Sequence, residues 1–241
     1  MFLDSLIPIR DLNPTRRFPI WTFLIVVANV LVFLGTAHGL TLTQGEAFHY
    51  GVIPCDVFNN CAALSTQLHQ QFPSRSPFLS IFTAMFMHAD ILHIGFNMLF
   101  LWVFGNNVED RLGRVRFPIF YFVTGFIAAL TFMVFDPAGQ APLIGASGAI
   151  AGVLGAYIVL WPRATVQSVL LLGIIPIPIR VKAWILLGLW FVLQVLSGVA
   201  SLGQVEQSGT AFLAHVGGFM SGMILVFPFG GRRERHAVVN G

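Results

Sequence analysis

Two residues with the chemistry of hydrolysis begin apolar segments of this chain: Ser147 opens the run 147–161, and His215 lies at the start of the run 212–229. An ionisable side chain inside a bilayer is costly, so a histidine there marks a candidate functional site. Serine is common packing material between membrane helices and means little by itself. Together the two supply a nucleophile and a base to activate it, which indicates a serine hydrolase.

The composition indicates that this pair belongs to a membrane protein. Of the 241 residues, 56% are hydrophobic and 10% are charged, whereas about 25% of the residues of an ordinary soluble domain are charged. Six apolar stretches approach the length that crosses a bilayer, which predicts an all-α bundle of six transmembrane helices. They cover 18–39, 79–104, 116–135, 147–161, 183–202 and 212–229. The chain does not interleave basic and aromatic residues, so its sequence gives no sign of a nucleic-acid partner.

The basic residues give these spans a direction. With the N-terminus inside, twelve of the 13 Lys and Arg residues face the cytoplasm and Arg75 faces out, which is a strong positive-inside pattern. Both tails, 1–17 and 230–241, are then cytoplasmic, and the chain 1–241 is expected to form a single domain. The fourth stretch is too short to reach both surfaces, so Ser147 is expected to lie in a depression below the outer one.

The first outer loop, about 40–78, is the only long loop. It is either disordered or, as we favour, partly helical and lying against the membrane surface. It carries the two cysteines, Cys55 and Cys61. Their spacing permits a disulfide without deciding whether one forms.

Further polar residues share the depth of Ser147 and His215. His93 and Asn97 lie in the outer half of the second span, four residues apart and therefore on one helix face. Either they form an ordinary interhelical hydrogen bond, or they join the N-terminus of the fourth helix in stabilising an oxyanion. No Asp or Glu lies near this depth within a span, so we expect a Ser–His dyad without a carboxylate orienter.

Small residues follow both members of the predicted dyad. Gly148 and Gly152 form one small-xxx-small pair, and Gly218 and Gly222 form another. Such pairs allow two helix backbones to approach closely. We therefore expect the fourth and sixth helices to be in close contact beside Ser147 and His215.

These segments resemble those of the rhomboid family of intramembrane serine proteases. The resemblance rests on Gly145-Ala146-Ser147-Gly148, the segment 88–97, Ala214-His215-Val216-Gly217-Gly218 with Gly222, and the segment 108–113. The N-terminal segment 14–19 is similar to that of bacterial members, which implies a multi-pass protein of the bacterial plasma membrane. The resemblance covers nearly the whole chain.

The resemblance implies an endopeptidase that cleaves transmembrane segments of membrane proteins near their outer ends. Ser147 would be the nucleophile and His215 the base, with His93 and Asn97 serving the oxyanion and no metal or cofactor required. The fifth span, with Trp184, Trp190 and Phe191, and the loop 203–211 would form a lateral gate and a cap. Many members carry an aromatic residue under the histidine where this chain has Ala151, so we expect a neighbouring aromatic residue to replace it.

Two other functions remain open from the sequence. A catalytically silent rhomboid-like protein would bind or escort membrane helices, although the intact Ser147 and His215 argue against it. A transporter fits poorly, because broken helices around a midplane site are not evident. The chain lacks the H-E-x-x-H motif, which argues against a metalloprotease. It has no pair of carboxylates within its spans, which argues against an aspartyl intramembrane protease. The oligomeric state and the physiological substrate are not indicated.

Overall fold

The computed structural model describes residues 6–172, 175–201 and 210–231. Most of the described chain is helical, with two short stretches of sheet. The first half contains β1 (Leu6–Asp11), α1 (Ile20–Thr36), β2 (Ala37–His38), β3 (Thr41–Leu42), α2 (Gln44–Tyr50), α3 (Pro54–Val57), α4 (Ala62–Gln71), α5 (Ser80–Thr83) and a 3₁₀ turn (Ala84–Phe86). The second half contains α6 (Ile91–Leu112), α7 (Arg116–Phe135), α8 (Ser147–Leu160), β4 (Thr165–Leu172), β5 (Ile175–Lys182), α9 (Ala183–Ser201) and α10 (Thr210–Leu225).

The apolar helices fall into two length classes. Within the described residues, α6, α7 and α9 are each long and apolar enough to cross a membrane. Helices α1, α8 and α10 are also apolar but have 17, 14 and 16 residues. At 1.5 Å per residue α8 spans only about 21 Å, less than the roughly 30 Å of a hydrocarbon core.

The short helix α8 lies at the centre of the molecule. Every residue from Ala149 to Tyr157 is buried, and α8 packs against α6, α7, α9 and α10. A helix that is apolar on all sides is stable only when it is surrounded. The composition of α8, rich in Gly and Ala, therefore suits a central position.

The predicted span 79–104 is wrong at both ends, because the helix there is α6, Ile91–Leu112. It starts at 91 because the side chain of Asp90 accepts hydrogen bonds from the backbone N–H groups of Leu92 and His93, at 2.9 and 2.8 Å. This is a helix N-cap, and it separates α6 from the short turns that precede it.

Helix α6 continues past its apolar stretch because its polar end is satisfied by α1. The carboxylate of Glu109 is buried and accepts hydrogen bonds from the backbone N–H groups of Trp21 and Thr22, at 2.9 and 2.8 Å, and from the Thr22 hydroxyl. The first N–H groups of a helix lack partners within it. Glu109 therefore joins the start of α1 to α6.

The prediction of an all-α fold is wrong in one respect, because β1, β4 and β5 form a three-stranded antiparallel sheet in the order β1-β4-β5. The tail 1–17 supplies β1, and the rest comes from the loop between the fourth and fifth spans. Pro176 and Pro178 lie in β5, the edge strand of the described sheet, where their missing N–H groups are tolerated.

The long loop 40–78 is partly helical, as expected, with α2, α3 and α4 inside it. A disulfide joins Cys55 to Cys61. Arg75, the one basic residue that the predicted topology places outside, is buried in an ion pair with Asp56 and also donates to the Phe48 carbonyl. These contacts brace the loop; its contact with a membrane stays a prediction.

Helices α8 and α10 touch through their backbones. A Cβ on Gly222 would lie 2.6 Å from the carbonyl carbon of Gly152 and collide with its oxygen, and a Cβ on Gly218 would collide with the Gly148 carbonyl. The two predicted glycine pairs thus lie at this contact. Gly148 and Gly152 also make room for α7, because Cβ atoms there would meet Ala128 and Thr124 side chains.

We predict that Gly222→Ala lowers the thermal unfolding temperature, because the new methyl group must push α10 off the α8 backbone. Overpacking of this kind costs about 1–3 kcal/mol. Gly188→Ala in α9 is the matched control, since a Cβ there has no atom within 4 Å and alanine favours a helix by about 1 kcal/mol over glycine. Fluorimetric melting in detergent compares the two. Equal melting temperatures would contradict a backbone contact.

Candidate active site

Ser147 and His215 are brought together by this helix contact. Ser147 is the first residue of α8, and His215 lies in the second turn of α10, one turn before Gly218. The Ser147 Oγ lies 2.7 Å from His215 Nε2, a hydrogen bond between two different helices. This is the spacing at which an imidazole can remove the proton of a serine hydroxyl.

Position 145, two residues before the serine, requires glycine. Gly145 has φ of +122°, a conformation that side chains of L-residues rarely adopt, and its N–H donates to the Ala84 carbonyl at 2.8 Å. A Cβ on Gly145 would lie 3.0 Å from His93 Nε2 and 3.5 Å from Ser147 Oγ. The absence of this side chain therefore leaves a small space between the histidine and the serine.

The orientation of His93 is set by one contact of its backbone and one of its ring. Its backbone is held by the Asp90 cap, and its Nδ1 accepts a hydrogen bond from the Ala89 N–H at 3.3 Å. Since Nδ1 is an acceptor, the ring proton of a neutral His93 is assigned to Nε2. That nitrogen faces the space beside Gly145, so an N–H donor points toward Ser147.

Asn97 lies one turn further along α6, on the same face as His93. Its Nδ2 donates to the His93 carbonyl at 2.8 Å, and its side chain lines the same cavity as Ser147. An amide nitrogen carries two hydrogens, so one remains for a group bound in the cavity. Asn97 and His93, the two residues of α6 that the sequence singled out, thus line one cavity with Ser147; their role toward an oxyanion stays a prediction.

A cavity of about 210 Å³ joins these groups. Its polar side chains are His93, Asn97, Ser147 and His215, and the others are apolar: Phe96, Phe100, Ile150, Ala151, Leu154 and Trp190. A larger hollow of about 570 Å³ lies near Trp102 and Asn106 and contains neither member of the Ser–His pair. The smaller cavity has the apolar walls and few polar groups typical of a binding site.

The second ring nitrogen of His215 has a partner that the sequence analysis missed. Its Nδ1 lies 2.7 Å from the Gln194 Oε1 of α9. A polar residue in the middle of an apolar span is itself a signal, because it needs a partner there. Because position 151 is alanine, we expected a neighbouring aromatic residue beside His215. Trp190 of α9 lies there, with its ring centre 5.9 Å from that of His215.

The predicted gate residues lie on a weakly packed helix. Only 22% of the apolar stretch of α9 is buried, against 50% for α6 and α7. Trp190 lines the cavity, Phe191 stacks on Phe219 of α10 with ring centres 4.5 Å apart, and Trp184 is exposed. Most of the predicted cap, 203–211, lies outside the described residues.

Comparison with known proteins shows the family of the chain. A family profile described as "Rhomboid domain" matches residues 75–232, more than half of the chain. The chain belongs to the rhomboid family. This rhomboid domain lies in an integral membrane protein and includes all four polar residues of the cavity.

Three relatives show the range of the family. The chain is 33% identical over 151 residues to "Rhomboid protein 1, mitochondrial" of Saccharomyces cerevisiae, covering 61% of this chain and 40% of that protein. It is 32% identical over 152 residues to "Rhomboid protease GluP" of Bacillus subtilis, covering 62% and 26%. It is 34% identical over 80 residues to "Inactive rhomboid protein 1" of Drosophila melanogaster, covering 33% and 6%. The chain thus spans less than half the length of each of these relatives.

We predict that His93→Ala and Asn97→Ala each reduce kcat for a membrane-protein substrate, while KM changes little. Loss of one oxyanion donor costs about 10²–10³ in kcat in other enzymes. His69→Ala in the exposed helix α4 is the matched control and should retain activity. Steady-state kinetics in proteoliposomes measures kcat and KM separately for each variant. A rise in KM at constant kcat would show that the two residues act only in binding or packing.

Proposed function

We propose that this rhomboid is an intramembrane serine endopeptidase that cleaves transmembrane segments of membrane proteins near their outer ends. The observation that carries the proposal is the 2.7 Å hydrogen bond between Ser147 Oγ and His215 Nε2, at one end of an apolar cavity. The relative named a protease supports the same reaction.

In the first half of the reaction, Ser147 Oγ attacks the scissile carbonyl carbon while His215 Nε2 takes the hydroxyl proton. The carbonyl oxygen becomes an oxyanion. His215 then gives its proton to the leaving amine, and the C–N bond breaks to leave an acyl ester on Ser147. In the second half, His215 removes a proton from water as the water oxygen attacks the ester carbon. The ester C–O bond then breaks, His215 returns the proton to Ser147 Oγ, and the carboxyl product leaves.

The oxyanion is stabilised by donors that are in place before the reaction. His93 Nε2–H, the second N–H of the Asn97 amide and the backbone N–H of Ser147 all come from the ends of α6 and α8 that meet at the cavity. The N-terminus of α8 adds the positive end of a helix dipole. Fixed donors in a water-poor site stabilise developing charge strongly, because they need no reorganisation.

The substrate reaches the serine from the side, between α6 and α9. Phe96 and Phe100 of α6 and Trp190 of α9 supply apolar walls that suit a membrane helix, and α9 is the least buried of the long apolar helices. A helix has its carbonyls engaged in hydrogen bonds and must unwind locally to be cut. Small or helix-breaking residues near the outer end of the substrate would allow this unwinding.

We also propose the membrane topology that the basic residues indicate. Six spans would cross the membrane, with α1, α8 and α10 as the shorter ones, in a single domain with both termini on the cytoplasmic side. The bacterial plasma membrane is the location we propose from the bacterial-type N-terminal segment 14–19. Family membership does not select the membrane, since matched relatives include proteins named mitochondrial and chloroplastic.

We predict that Ser147→Ala and His215→Ala each abolish cleavage of a model transmembrane substrate, and that the double variant is no worse than either. Residues that act as a unit show this non-additivity. Ser221→Ala is the matched control, because it removes a buried serine of α10 whose hydroxyl donates to the Gly218 carbonyl of its own helix. It should retain most of the activity.

The same assay separates the proposal from a catalytically silent helix-binding protein. Cleavage by the wild type with loss in Ser147→Ala supports the peptidase. Substantial cleavage by folded Ser147→Ala or His215→Ala would refute the dyad. Binding of the substrate by wild-type protein without any cleavage would favour the silent alternative.

A further inference from the structure

The partner of His215 on α9 has a role in the chemistry that the sequence did not indicate. Gln194 Oε1 lies 2.7 Å from His215 Nδ1, while His215 Nε2 lies 2.7 Å from Ser147 Oγ. The three side chains therefore form a continuous chain of hydrogen bonds across α9, α10 and α8. No carboxylate lines the cavity among the described residues.

The direction of these bonds follows from the hydrogens available. A neutral imidazole has one N–H and one acceptor nitrogen. For Nε2 to accept the Ser147 hydroxyl proton, Nδ1 must carry the ring hydrogen and donate it. The Gln194 amide oxygen is the acceptor at that position, so the tautomer that can act as a base is the one that Gln194 favours.

Gln194 lies on the face of α9 that contacts α10. Trp190, Gln194 and Gly198 are spaced by four residues and share one face of α9. Trp190 lies beside His215 and Phe219, with ring centres 5.9 Å away in both cases. A Cβ on Gly198 would lie 2.9 Å from Leu213 Cδ2 of α10. The glycine thus lets α9 approach α10 one turn beyond the glutamine.

We propose that Gln194 is a positioning residue that holds His215 in its base-competent tautomer and ring orientation. It performs with a neutral amide the orienting task that a carboxylate performs in a Ser-His-Asp triad. Because Trp190 on the same helix lines the cavity, one helix both walls the substrate path and holds the base. The kinetic part of this inference rests on the proposed peptidase function; the structural part does not.

The kinetic test compares two replacements of Gln194. Gln194→Leu keeps a similar volume and removes the acceptor, so kcat should fall about tenfold, the effect of losing one neutral hydrogen bond, with KM nearly unchanged. Gln194→Glu restores an oxygen acceptor and should recover most of the rate. Leu196→Ala, at an exposed position of the same helix, is the control and should behave as wild type. Equal kcat in Gln194→Leu and wild type would overturn the proposal.

The spectroscopic test does not need proteolysis. In protein carrying ¹⁵N-labelled histidine in detergent, the His215 signals are assigned by their loss in His215→Ala. Wild type should show Nδ1 protonated and Nε2 unprotonated, and Gln194→Leu should show a mixture of tautomers. An unchanged single tautomer in Gln194→Leu would refute the positioning role even if kcat fell. A wild type that cleaves nothing would refute the peptidase alone, and this measurement would still decide the role of Gln194.

Discussion

The contact between the backbones of α8 and α10 is the constraint on which the site depends. Gly218 and Gly222 lie against the carbonyl groups of Gly148 and Gly152, where a single methyl group would collide. A hydrogen bond tolerates an error of only a few tenths of an ångström, and a displacement of about 1 Å can cost ~10²-fold in rate. The 2.7 Å bond from Ser147 to His215 therefore requires helices that touch without side chains between them.

The fold was predictable where apolar length decides it and not where polar partners do. The span 116–135 coincides with α7, and the fourth predicted span begins with α8 at Ser147. The second span was misplaced because its start is set by a cap at Asp90 and its end by Glu109, which binds the start of α1. The hydrophobic pattern of the sequence does not indicate such hydrogen bonds. The sheet was missed because β1 comes from the distant N-terminal tail and because β5 contains two prolines, which are unusual in a strand.

The site was predictable to the extent that polar residues in apolar segments are rare. Ser147, His215, His93 and Asn97 all line one cavity. They could be picked out because each is a polar residue within or at the start of an apolar stretch, at a similar depth. Gln194 meets the same criterion but was not predicted, because the usual orienter of a catalytic histidine is a carboxylate. Its bond to His215 Nδ1 depends on how α9 is rotated, which the sequence of α9 does not specify.

Covalent labelling tests the central claim, that Ser147 is an activated nucleophile, most directly. Purified protein in detergent is treated with a fluorophosphonate, digested, and analysed by mass spectrometry to locate the adduct. We predict one modified residue, Ser147, and no adduct in the His215→Ala variant. A folded wild-type protein that takes no label, or takes it equally at another serine such as Ser221, would show that Ser147 is not an activated nucleophile.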